Sequence, residues 1–328
     1  MTASNNTAGA LLEILRGEGS YLSGEELGRR LGISRAAVWK AIQGLRRQGY
    51  RIEAQLGRGY RLLSPPRGLS VHEIRRGLGC KLLGRKVHLT EEVSSTNTWA
   101  FERALKGAEE GEVFLAEAQS GGKGRMGRKW FSPPGVNLYL SVVLRPRIPP
   151  AKVPLLTLAA AVAAAEAVEE VTGLLPEIKW PNDLLLKGKK FGGILAEARA
   201  EADLVDFVIL GIGINVNLSA EELPDEIAPM ATSLKGETGR EVDRVVLLRE
   251  LLKRLEGWYL TLVRGGGREV LKRWEQLAAV RGREVEVELM GERLRGVVRG
   301  VDEDGALLLH TPSGMKRVVA GDLKVRRW

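Results

Sequence analysis

The sequence predicts an α+β protein with three folded parts: an N-terminal winged helix-turn-helix, a central α/β core with a mixed sheet, and a small C-terminal β-barrel. Three observations predict this order. Two short helix patterns joined by a turn come first, strand and helix patterns are then interspersed, and the C-terminal segment contains short strand patterns only. A length of 328 residues suits this number of domains. We expect the domains, with one linker, at residues 1–64, 65–84 (the linker), 85–279 and 280–328.

The N-terminal segment carries the signals of two capped helices. Ser23 and Glu26 form a capping box that opens the first helix, which ends near Gly32. Ser34 can cap the second helix, residues 35–48, because its hydroxyl can accept a backbone N–H of the first turn. Two helices joined by a Gly-Ile-Ser turn are typical of a helix-turn-helix. The second helix has an apolar face of Val38, Ile42 and Leu45, and a polar face of Arg35, Trp39, Lys40, Gln43, Arg46 and Arg47.

A hairpin with a basic tip follows the second helix. Strand patterns at residues 50–53 and 60–63 flank Leu56-Gly57-Arg58-Gly59, which has the shape of a wing. Residues 1–64 contain ten Lys/Arg and five Asp/Glu, so they carry +5 of the chain's net charge of +9. Charge concentrated in a segment that suits a major groove favours DNA binding. The alternative is a small helical domain that binds only protein.

A run of small polar side chains lies at the start of the core. Residues 64–68, Ser-Pro-Pro-Arg-Gly, are typical of a linker, and a short helix is expected within residues 69–83. Residues 93–98, Val-Ser-Ser-Thr-Asn-Thr, then precede a helix at residues 99–106. One of these side chains is enough for an N-cap, which is the simpler interpretation. The surplus indicates hydrogen bonds to a polar, uncharged ligand.

Residues 119–131 form a basic glycine loop, Gln-Ser-Gly-Gly-Lys-Gly-Arg-Met-Gly-Arg-Lys-Trp-Phe, between strand patterns at residues 113–118 and 136–144. Its glycines let the backbone bend closely around an anion, and its cations add charge-assisted contacts. Three glycines also match G-x-G-x-x-G, but the Ser-Pro-Pro-Gly that follows cannot begin the helix that a dinucleotide site requires. The alternative is a solvated hairpin tip, to which the two aromatic residues would contribute nothing.

A second cluster places a cation, an amide and a carboxylate within five residues: Lys179, Asn182 and Asp183. Strand patterns flank them, so all three are expected at one end of a sheet. A basic turn at residues 187–190 then leads into a strand with two adjacent glycines, where another group can approach the backbone closely. The alternative for Asp183 is an ordinary turn residue, since Asp after Asn is common in turns.

The remaining segments supply scaffold. Residues 154–172 predict a long alanine-rich helix with proline in its first turn. Its most apolar part, residues 155–168, is interrupted by Glu166 and is too short to span a bilayer. A strand is expected at residues 207–217, with Asn215 and Asn217 on one face because side chains alternate along a strand. A loop is expected at residues 221–230. The other expected elements are helices at 242–263 and 268–278 and C-terminal strands at 285–289, 295–301, 307–310 and 317–319.

Composition limits the classes of function. The net charge of +9 indicates an anionic partner without naming one. A single cysteine, Cys80, excludes an intramolecular disulfide and a cysteine-only metal cluster, and it suits a reducing cytoplasm. The N-terminus has no apolar stretch of signal-peptide length. We therefore expect a soluble cytoplasmic protein that does not bind a membrane and has no metal site recognisable by a direct motif.

Three blocks of sequence together are typical of one family. They are the winged helix, the Ser-Thr-Asn run with the basic glycine loop ending in Arg-Lys-Trp, and Lys-Trp-Pro-Asn-Asp followed by Lys-Phe-Gly-Gly-Ile-Leu. Over nearly its whole length the chain resembles the bacterial bifunctional biotin–protein ligases and biotin operon repressors, the BirA family. The resemblance implies a class II synthetase-like, biotin-ligase-like core and an SH3-like C-terminal β-barrel.

The resemblance also implies a two-step reaction. Biotin and Mg-ATP give biotinyl-5′-AMP and pyrophosphate, and the biotinyl group then passes to a lysine of biotin carboxyl carrier protein. Catalysis is implied for Lys190, Arg125 and Asp183, with Mg²⁺ arriving with ATP. The biotin site is implied at Ser95, Thr96, Asn97, Gln119, Gly122, Lys123, Gly124, Arg125, Lys190 and Gly193. The ATP site is implied at Arg125, Arg128, Trp130, Lys179, Asn182 and Asn215.

Two of these roles stay open. Asp183 either accepts or orients the acceptor amine, or it positions Mg²⁺ or Lys190. Met126 stands where cations are common in the family, and it lowers the charge of the glycine loop. Rival interpretations of the whole chain are a ligase whose winged helix no longer binds an operator, a biotin-sensing repressor without catalysis, and a lipoate-type ligase.

Family members with a winged helix repress biotin-synthesis genes as homodimers, with the adenylate as corepressor. The resemblance therefore implies binding to biotin operon DNA and a homodimer in the adenylate-bound state. Trp39 is chemically unusual on the polar face of the second helix. The alternative is that it packs on an earlier helix, which Leu11, Leu12, Ile14 and Leu15 indicate near the N-terminus. DNA contacts are implied at Ser34, Arg35, Lys40, Gln43, Arg46 and Arg58.

Overall fold

The chain divides into two compact units, Met1–Arg76 and Gly77–Trp328. The computed structural model describes residues 3–201, 203–289 and 292–325. The elements of the first unit, in chain order, are α1 (Ala3–Glu18), α2 (Gly24–Leu31), α3 (Arg35–Arg47), β1 (Arg51–Gln55), β2 (Gly59–Ser64) and α4 (Val71–Arg75).

The first unit is a helix-turn-helix followed by a two-stranded wing, as predicted. The Ser23 hydroxyl accepts the Glu26 N–H at 3.1 Å, and the Ser34 hydroxyl accepts the Ala37 N–H at 3.2 Å. These bonds satisfy N–H groups that have no partner inside the helices, and they fix where α2 and α3 begin. Strands β1 and β2 pair antiparallel. The core of the unit consists mainly of leucine and isoleucine side chains, which come from α1, α2, α3 and β1.

The first unit extends beyond the predicted wing into the predicted linker. Glu73 of α4 is 8% exposed, accepts the Tyr50 hydroxyl at 2.7 Å and is paired with Arg16 of α1. The Tyr50 hydroxyl also lies 2.9 Å from the Ser70 hydroxyl. A buried carboxylate held by a cation and a hydroxyl anchors α4 to the winged helix, because breaking such a set leaves an unpaired buried charge. The compact unit ends at Arg76, so it contains the winged helix predicted for residues 1–64 and the first part of the predicted linker.

The core of the second unit is a mixed seven-stranded sheet in the order β3-β4-β5-β9-β8-β7-β6. Strands β3 and β4 are parallel, and every other neighbouring pair is antiparallel. A mixed sheet was the prediction for this core. Its strands are β3 (Val87–Val93), β4 (Val113–Gln119), β5 (Leu138–Leu144), β6 (Glu177–Lys179), β7 (Asp183–Leu186), β8 (Lys189–Glu201) and β9 (Leu204–Ile214).

The core helices are α5 (Thr96–Leu105), α6 (Val153–Thr172), α7 (Leu234–Thr238), α8 (Arg244–Val263) and α9 (Gly267–Leu277). Helix α6 packs against α8, α9 and β8. The segment Pro150–Thr172 is long and apolar enough to cross a membrane if judged by length and composition alone, which the sequence analysis did not expect. However, 67% of its most apolar window is buried inside the protein. Its alanines permit close packing of the neighbouring elements, so α6 is the central helix of the core.

The C-terminal segment is an all-antiparallel sheet of five strands in the order β13-β12-β11-β10-β14. One strand, β14, was not predicted, because Asp322–Val325 is too short and too polar to show a strand pattern. Within the described residues no ladder joins β13 to β14, so hydrogen bonding leaves the predicted barrel open. Its strands are β10 (Glu284–Leu289), β11 (Glu292–Val301), β12 (Leu307–Thr311), β13 (Gly314–Val318) and β14 (Asp322–Val325).

Candidate active site

A cleft of about 480 Å³ lies where the start of α5, the glycine loop and strands β8 and β9 meet. All the residues that the resemblance assigns to biotin line this cleft except Gly122. Gly122 is buried beside it, where a methyl group would lie 2.7 Å from the Ser132 hydroxyl oxygen. The structure thus brings together side chains from segments that are separated by up to about a hundred residues in the sequence.

Polar side chains at the start of α5 form one wall of this first cleft. The Thr96 N–H donates to Gln119 Oε1 at 2.9 Å, and the Thr96 hydroxyl lies 3.2 Å from the same oxygen. Ser141 Oγ lies 2.8 Å from Thr96 Oγ1 and 2.6 Å from Asn97 Oδ1. Ser95 stands at the N-cap position of α5, yet its side chain makes no capping bond. The Ser95 side chain therefore does not cap α5, and the side chains of Thr96 and Asn97 are held by hydrogen bonds to other protein groups.

The glycine loop is a tight hairpin that contains one 3-10 turn, Arg125–Gly127, and no α-helix. The Gly124 N–H donates to the Arg128 carbonyl at 2.7 Å, and the Trp130 N–H donates to the Gly122 carbonyl at 2.9 Å. Met126 has a φ of 56°, in the left-handed region that a side chain other than Gly or Asn seldom adopts. A dinucleotide-binding fingerprint needs an α-helix directly after its glycines, and here the next element is β5. The observed geometry therefore agrees with the rejection of that fingerprint.

The two arginines of the loop contact the rest of the second unit. Arg125 Nη1 lies 3.4 Å from Asn182 Oδ1 and 3.4 Å from the Gly321 carbonyl oxygen, and Arg128 is paired with Asp322. Burial lowers the pKa of the Arg125 guanidinium, although nearby Asp183 opposes the shift. An arginine stays charged even so, which places a poorly solvated cation against the first cleft.

Asp183 lies between two lysines beside the first cleft. Its carboxylate oxygens are 2.5 Å from Lys190 Nζ and 3.3 Å from Lys179 Nζ. Burial alone would raise the pKa of the Asp183 carboxyl, but the ammonium groups of Lys190 and Lys179 outweigh burial and hold the pKa below its usual value. Lys190 Nζ also lies 5.4 Å from the centre of the Trp130 ring, within the range of a cation–π contact.

A second cleft of about 960 Å³ adjoins the first and shares Trp130 and Lys190 with it. Of the residues that the resemblance assigns to ATP, the first cleft contains Arg125 and Asn182, and both clefts contain Trp130. The others line the second cleft: Arg128, Lys179 and Asn215. Asn215 follows the end of β9 at Ile214 and donates to the Thr232 carbonyl at 3.1 Å. The expectation that Asn215 and Asn217 share a strand face is therefore wrong, since the strand ends before them.

One apolar wall of the second cleft was missed by the sequence analysis, which treated residues 221–230 as a plain loop. Leu223, Ile227 and Met230 line this cleft together with Trp130. The Lys190 N–H donates to the Met230 carbonyl at 2.8 Å, which attaches this loop to β8. Met230 remains 64% exposed. The apolar residues spaced through this acidic loop could have indicated the wall, because large apolar side chains gain nothing from exposure to solvent.

Gly213 of β9, which was not among the predicted site residues, makes room for Trp130. A methyl group at Gly213 would lie 2.7 Å from the Trp130 indole, closer than real side chains approach. We expect Gly213→Ala to raise the KM for ATP roughly tenfold, because the displaced indole forms the boundary between the clefts. Steady-state kinetics with ATP and biotin varied separately would measure this.

Gly257→Ala is the matched control for Gly213→Ala. A methyl group at this helical glycine would have no neighbour within 4 Å. Both KM values should stay at those of the unmodified protein. An unchanged KM for ATP in the Gly213→Ala variant would show that the position of Trp130 does not matter for nucleotide binding.

The predicted DNA-binding residues lie on α3 and the wing of the first unit. Arg35 and Lys40 are exposed, and Ser34 and Gln43 flank them. Arg58 lies at the wing tip, 4.4 Å from the centre of the Tyr21 ring. Arg46 instead donates to the Ile52 carbonyl from two guanidinium nitrogens, at 3.0 and 2.7 Å. This contact turns Arg46 toward the hairpin, an arrangement that its place on the polar face of α3 did not reveal.

Three family models match separate segments of the chain. Residues 89–215 match the model of the "Biotin/lipoate A/B protein ligase family", residues 8–61 that of an "HTH domain", and residues 281–325 that of the "Biotin protein ligase C terminal domain".

Relatives and a solved structure show the same similarity. The "Bifunctional ligase/repressor BirA" of Bacillus subtilis is 40% identical over 316 residues, which cover 96% of this chain and 97% of that protein. The Escherichia coli protein of the same name is 34% identical over 322 residues, 98% of each. The solved "Biotin protein ligase from Aquifex aeolicus in complex with biotin and ATP" superimposes with a TM-score of 0.64 and 32% identity, covering 74% of this chain and 100% of that one.

Proposed function

This chain belongs to the family of bifunctional biotin–protein ligases and biotin repressors, and we propose on that premise how its own residues perform the reaction. It is an ATP-dependent biotin–[biotin carboxyl carrier protein] ligase and a DNA-binding repressor. Biotin and ATP are its substrates. The observation that carries our account of its mechanism is the junction of the two clefts at Trp130 and Lys190.

In the first step a carboxylate oxygen of biotin attacks the α-phosphorus of ATP. The new bond to phosphorus forms as the bond to the β-phosphate oxygen breaks, and pyrophosphate leaves. Two anions must approach each other, so their repulsion has to be neutralised by charges already in place. We assign that task to Lys190, which lines both clefts, and to Arg125, which lines the first. Gln119 and Thr96 are suited to the ureido ring, which is neutral and polar.

In the second step the acceptor lysine, as a neutral amine, attacks the acyl carbon, and AMP leaves with the bridging oxygen. Both carboxylate oxygens of Asp183 already face ammonium groups, at 2.5 and 3.3 Å. This arrangement favours a positioning role for Asp183, holding Lys190 toward the reacting groups, over the role of a free base. The lowered pKa of the Asp183 carboxyl points the same way, because a weakly basic carboxylate is a poor proton acceptor.

We expect Asp183→Asn to slow both steps roughly tenfold, since Lys190 loses the partner that orients it. Pyrophosphate release would report the first step, and transfer of biotin from preformed biotinyl-5′-AMP to the carrier protein would report the second. Asp206→Asn is the control, because Asp206 pairs with Arg145 and Arg199 outside both clefts. A loss confined to transfer would instead make Asp183 the base.

The residues of this site favour binding of Mg²⁺ through the phosphates of ATP over binding through ligands of the protein. Among residues 3–201, 203–289 and 292–325, no group of three or more His, Cys, Asp or Glu side chains could hold a metal ion. Asp183 is occupied by lysines, so it does not offer a free carboxylate. Mg²⁺ commonly binds through substrate phosphates with few protein ligands. We therefore propose that it arrives on the ATP phosphates, where it supplies positive charge.

Two further proposals concern the oligomeric state and the location of the repressor. We propose that the adenylate-bound chain forms a homodimer on biotin operon DNA, and that it does so in the cytoplasm, where ATP and the carrier protein are found. Sedimentation of the chain with and without ATP and biotin tests the first proposal. A mass that stays monomeric with both substrates at high protein concentration would reject it.

Mass spectrometry of the chain mixed with ATP and biotin tests the ligase mechanism. We expect biotinyl-5′-AMP to remain bound through gel filtration, because our assignment gives each half of the molecule a cleft of its own. A parallel mixture with lipoate tests the substrate rival and should give no adenylate. Recovery of unchanged ATP and biotin would support the rival interpretation, a biotin sensor without catalysis. We do not expect that result, because a sensor has no need of the cations Lys123, Arg125, Arg128 and Lys190.

A further inference from the structure

Trp39 is an exposed aromatic side chain in the middle of α3. Its neighbour Val38 and the residues Ile42 and Leu45 are fully buried, whereas Trp39 is 56% exposed. The indole is therefore not buried against α1, which was the alternative interpretation of the sequence. Among the described residues the indole has no ring contact and no hydrogen-bond partner. The fold of the first unit gives no reason for a large apolar group at this position.

The surroundings of Trp39 are cationic and polar. Arg35 lies one helical turn before it and Gln43 one turn after it, so the three side chains share a face. Lys40 is adjacent and exposed. Within the part of the chain that the structure describes, neither Arg35 nor Lys40 has an ion-pair partner. An indole with two available cations and an amide beside it needs a partner that is polyanionic and also offers apolar and hydrogen-bonding groups.

Double-stranded DNA meets that description through its major groove. The phosphates suit Arg35 and Lys40, the base edges suit the Gln43 amide, and the C5-methyl group of thymine is the apolar element of the groove. An acidic protein surface would satisfy the cations but would not require the amide and the indole together. We propose that Trp39 reads operator sequence by packing its indole against a thymine methyl group. The proposal rests on the repressor function and adds a specific apolar contact to it.

The test begins with the full chain, ATP and biotin, and a random DNA duplex library from which bound sequences are enriched. One enriched duplex then serves in equilibrium titrations at several salt concentrations. We expect Trp39→Ala to weaken binding about tenfold without changing the salt dependence, because an apolar contact releases no counterions. Lys40→Ala should lower the slope of log K against log salt by about 1. Leu63→Ala, another exposed apolar residue of the first unit, should change neither quantity.

Replacing thymine with uracil in the enriched duplex removes one methyl group at a time. At one position the unmodified protein should lose affinity while Trp39→Ala does not, which assigns the methyl contact. Thermal unfolding and biotin transfer should stay unchanged in Trp39→Ala, because the side chain is exposed. Equal affinity of Trp39→Ala and the unmodified protein would overturn the inference alone. Failure of the unmodified protein to enrich any duplex would overturn the repressor function and the inference with it.

Discussion

Replacing Lys190 with alanine should lower biotin-dependent pyrophosphate release about a hundredfold, the usual consequence of deleting one preorganised charge at a reacting centre. Lys190 Nζ is held 2.5 Å from Asp183 and borders both clefts. Its loss removes a positive charge from the place where two anions meet. Single-turnover measurement of pyrophosphate release, with both substrates saturating, separates this effect from weaker binding.

Lys189→Ala is the matched control for Lys190→Ala. Lys189 precedes it in β8 but is exposed, because successive side chains of a strand point to opposite faces. Its removal changes the net charge by the same amount and should leave the rate unchanged. The thermal unfolding temperatures of both variants show whether the fold remains stable when Asp183 loses its closer lysine. Near-normal turnover in a folded Lys190→Ala variant would contradict the role that we assign to this ammonium group.

Arg125→Ala should also lower pyrophosphate release about a hundredfold. Its guanidinium is poorly solvated, so its charge is screened less than that of a surface arginine. It also bridges the glycine loop to Asn182 and to the Gly321 carbonyl. The alanine variant should therefore bind biotinyl-5′-AMP less tightly as well, which calorimetric titration with the isolated adenylate would measure.

Arg199→Ala provides the comparison for Arg125→Ala. Arg199 lies toward the far end of β8, where it pairs with Glu201 at 2.9 Å, and it lines neither cleft. The same change of charge should have little effect there, since exposed ion pairs contribute little. If Arg199→Ala and Arg125→Ala slowed the reaction equally, net charge rather than the position of the guanidinium would explain the loss.

Local patterns in the sequence were enough for the fold class and for most of the helices and strands. Ser23 and Ser34 mark helix starts because a capping bond spans only three residues. The glycine loop was recognised by its own composition, and the proline that follows excluded a helix. Each of these inferences depends on residues that are neighbours along the chain, and each agrees with the structure.

Contacts between distant segments decided the features that the sequence analysis missed. Arg46 bonds to Ile52 rather than facing outward with Arg35, and Glu73 joins the first unit through Tyr50 and Arg16. The residue types were compatible with either arrangement, and only the packing of the other elements selects one.

The sequence by itself determined which chemical groups this protein brings to its reaction: a ring of cations, amides and hydroxyls suited to a neutral ring and to phosphates. Only the tertiary structure decided which of them meet. Asp183 faces Lys190 and Lys179, and Met230 is attached to Lys190 through the backbone. The physical reason is that capping and turn formation are short-range, whereas the neutralisation of a buried charge depends on every group within a few ångströms, whatever its place in the chain.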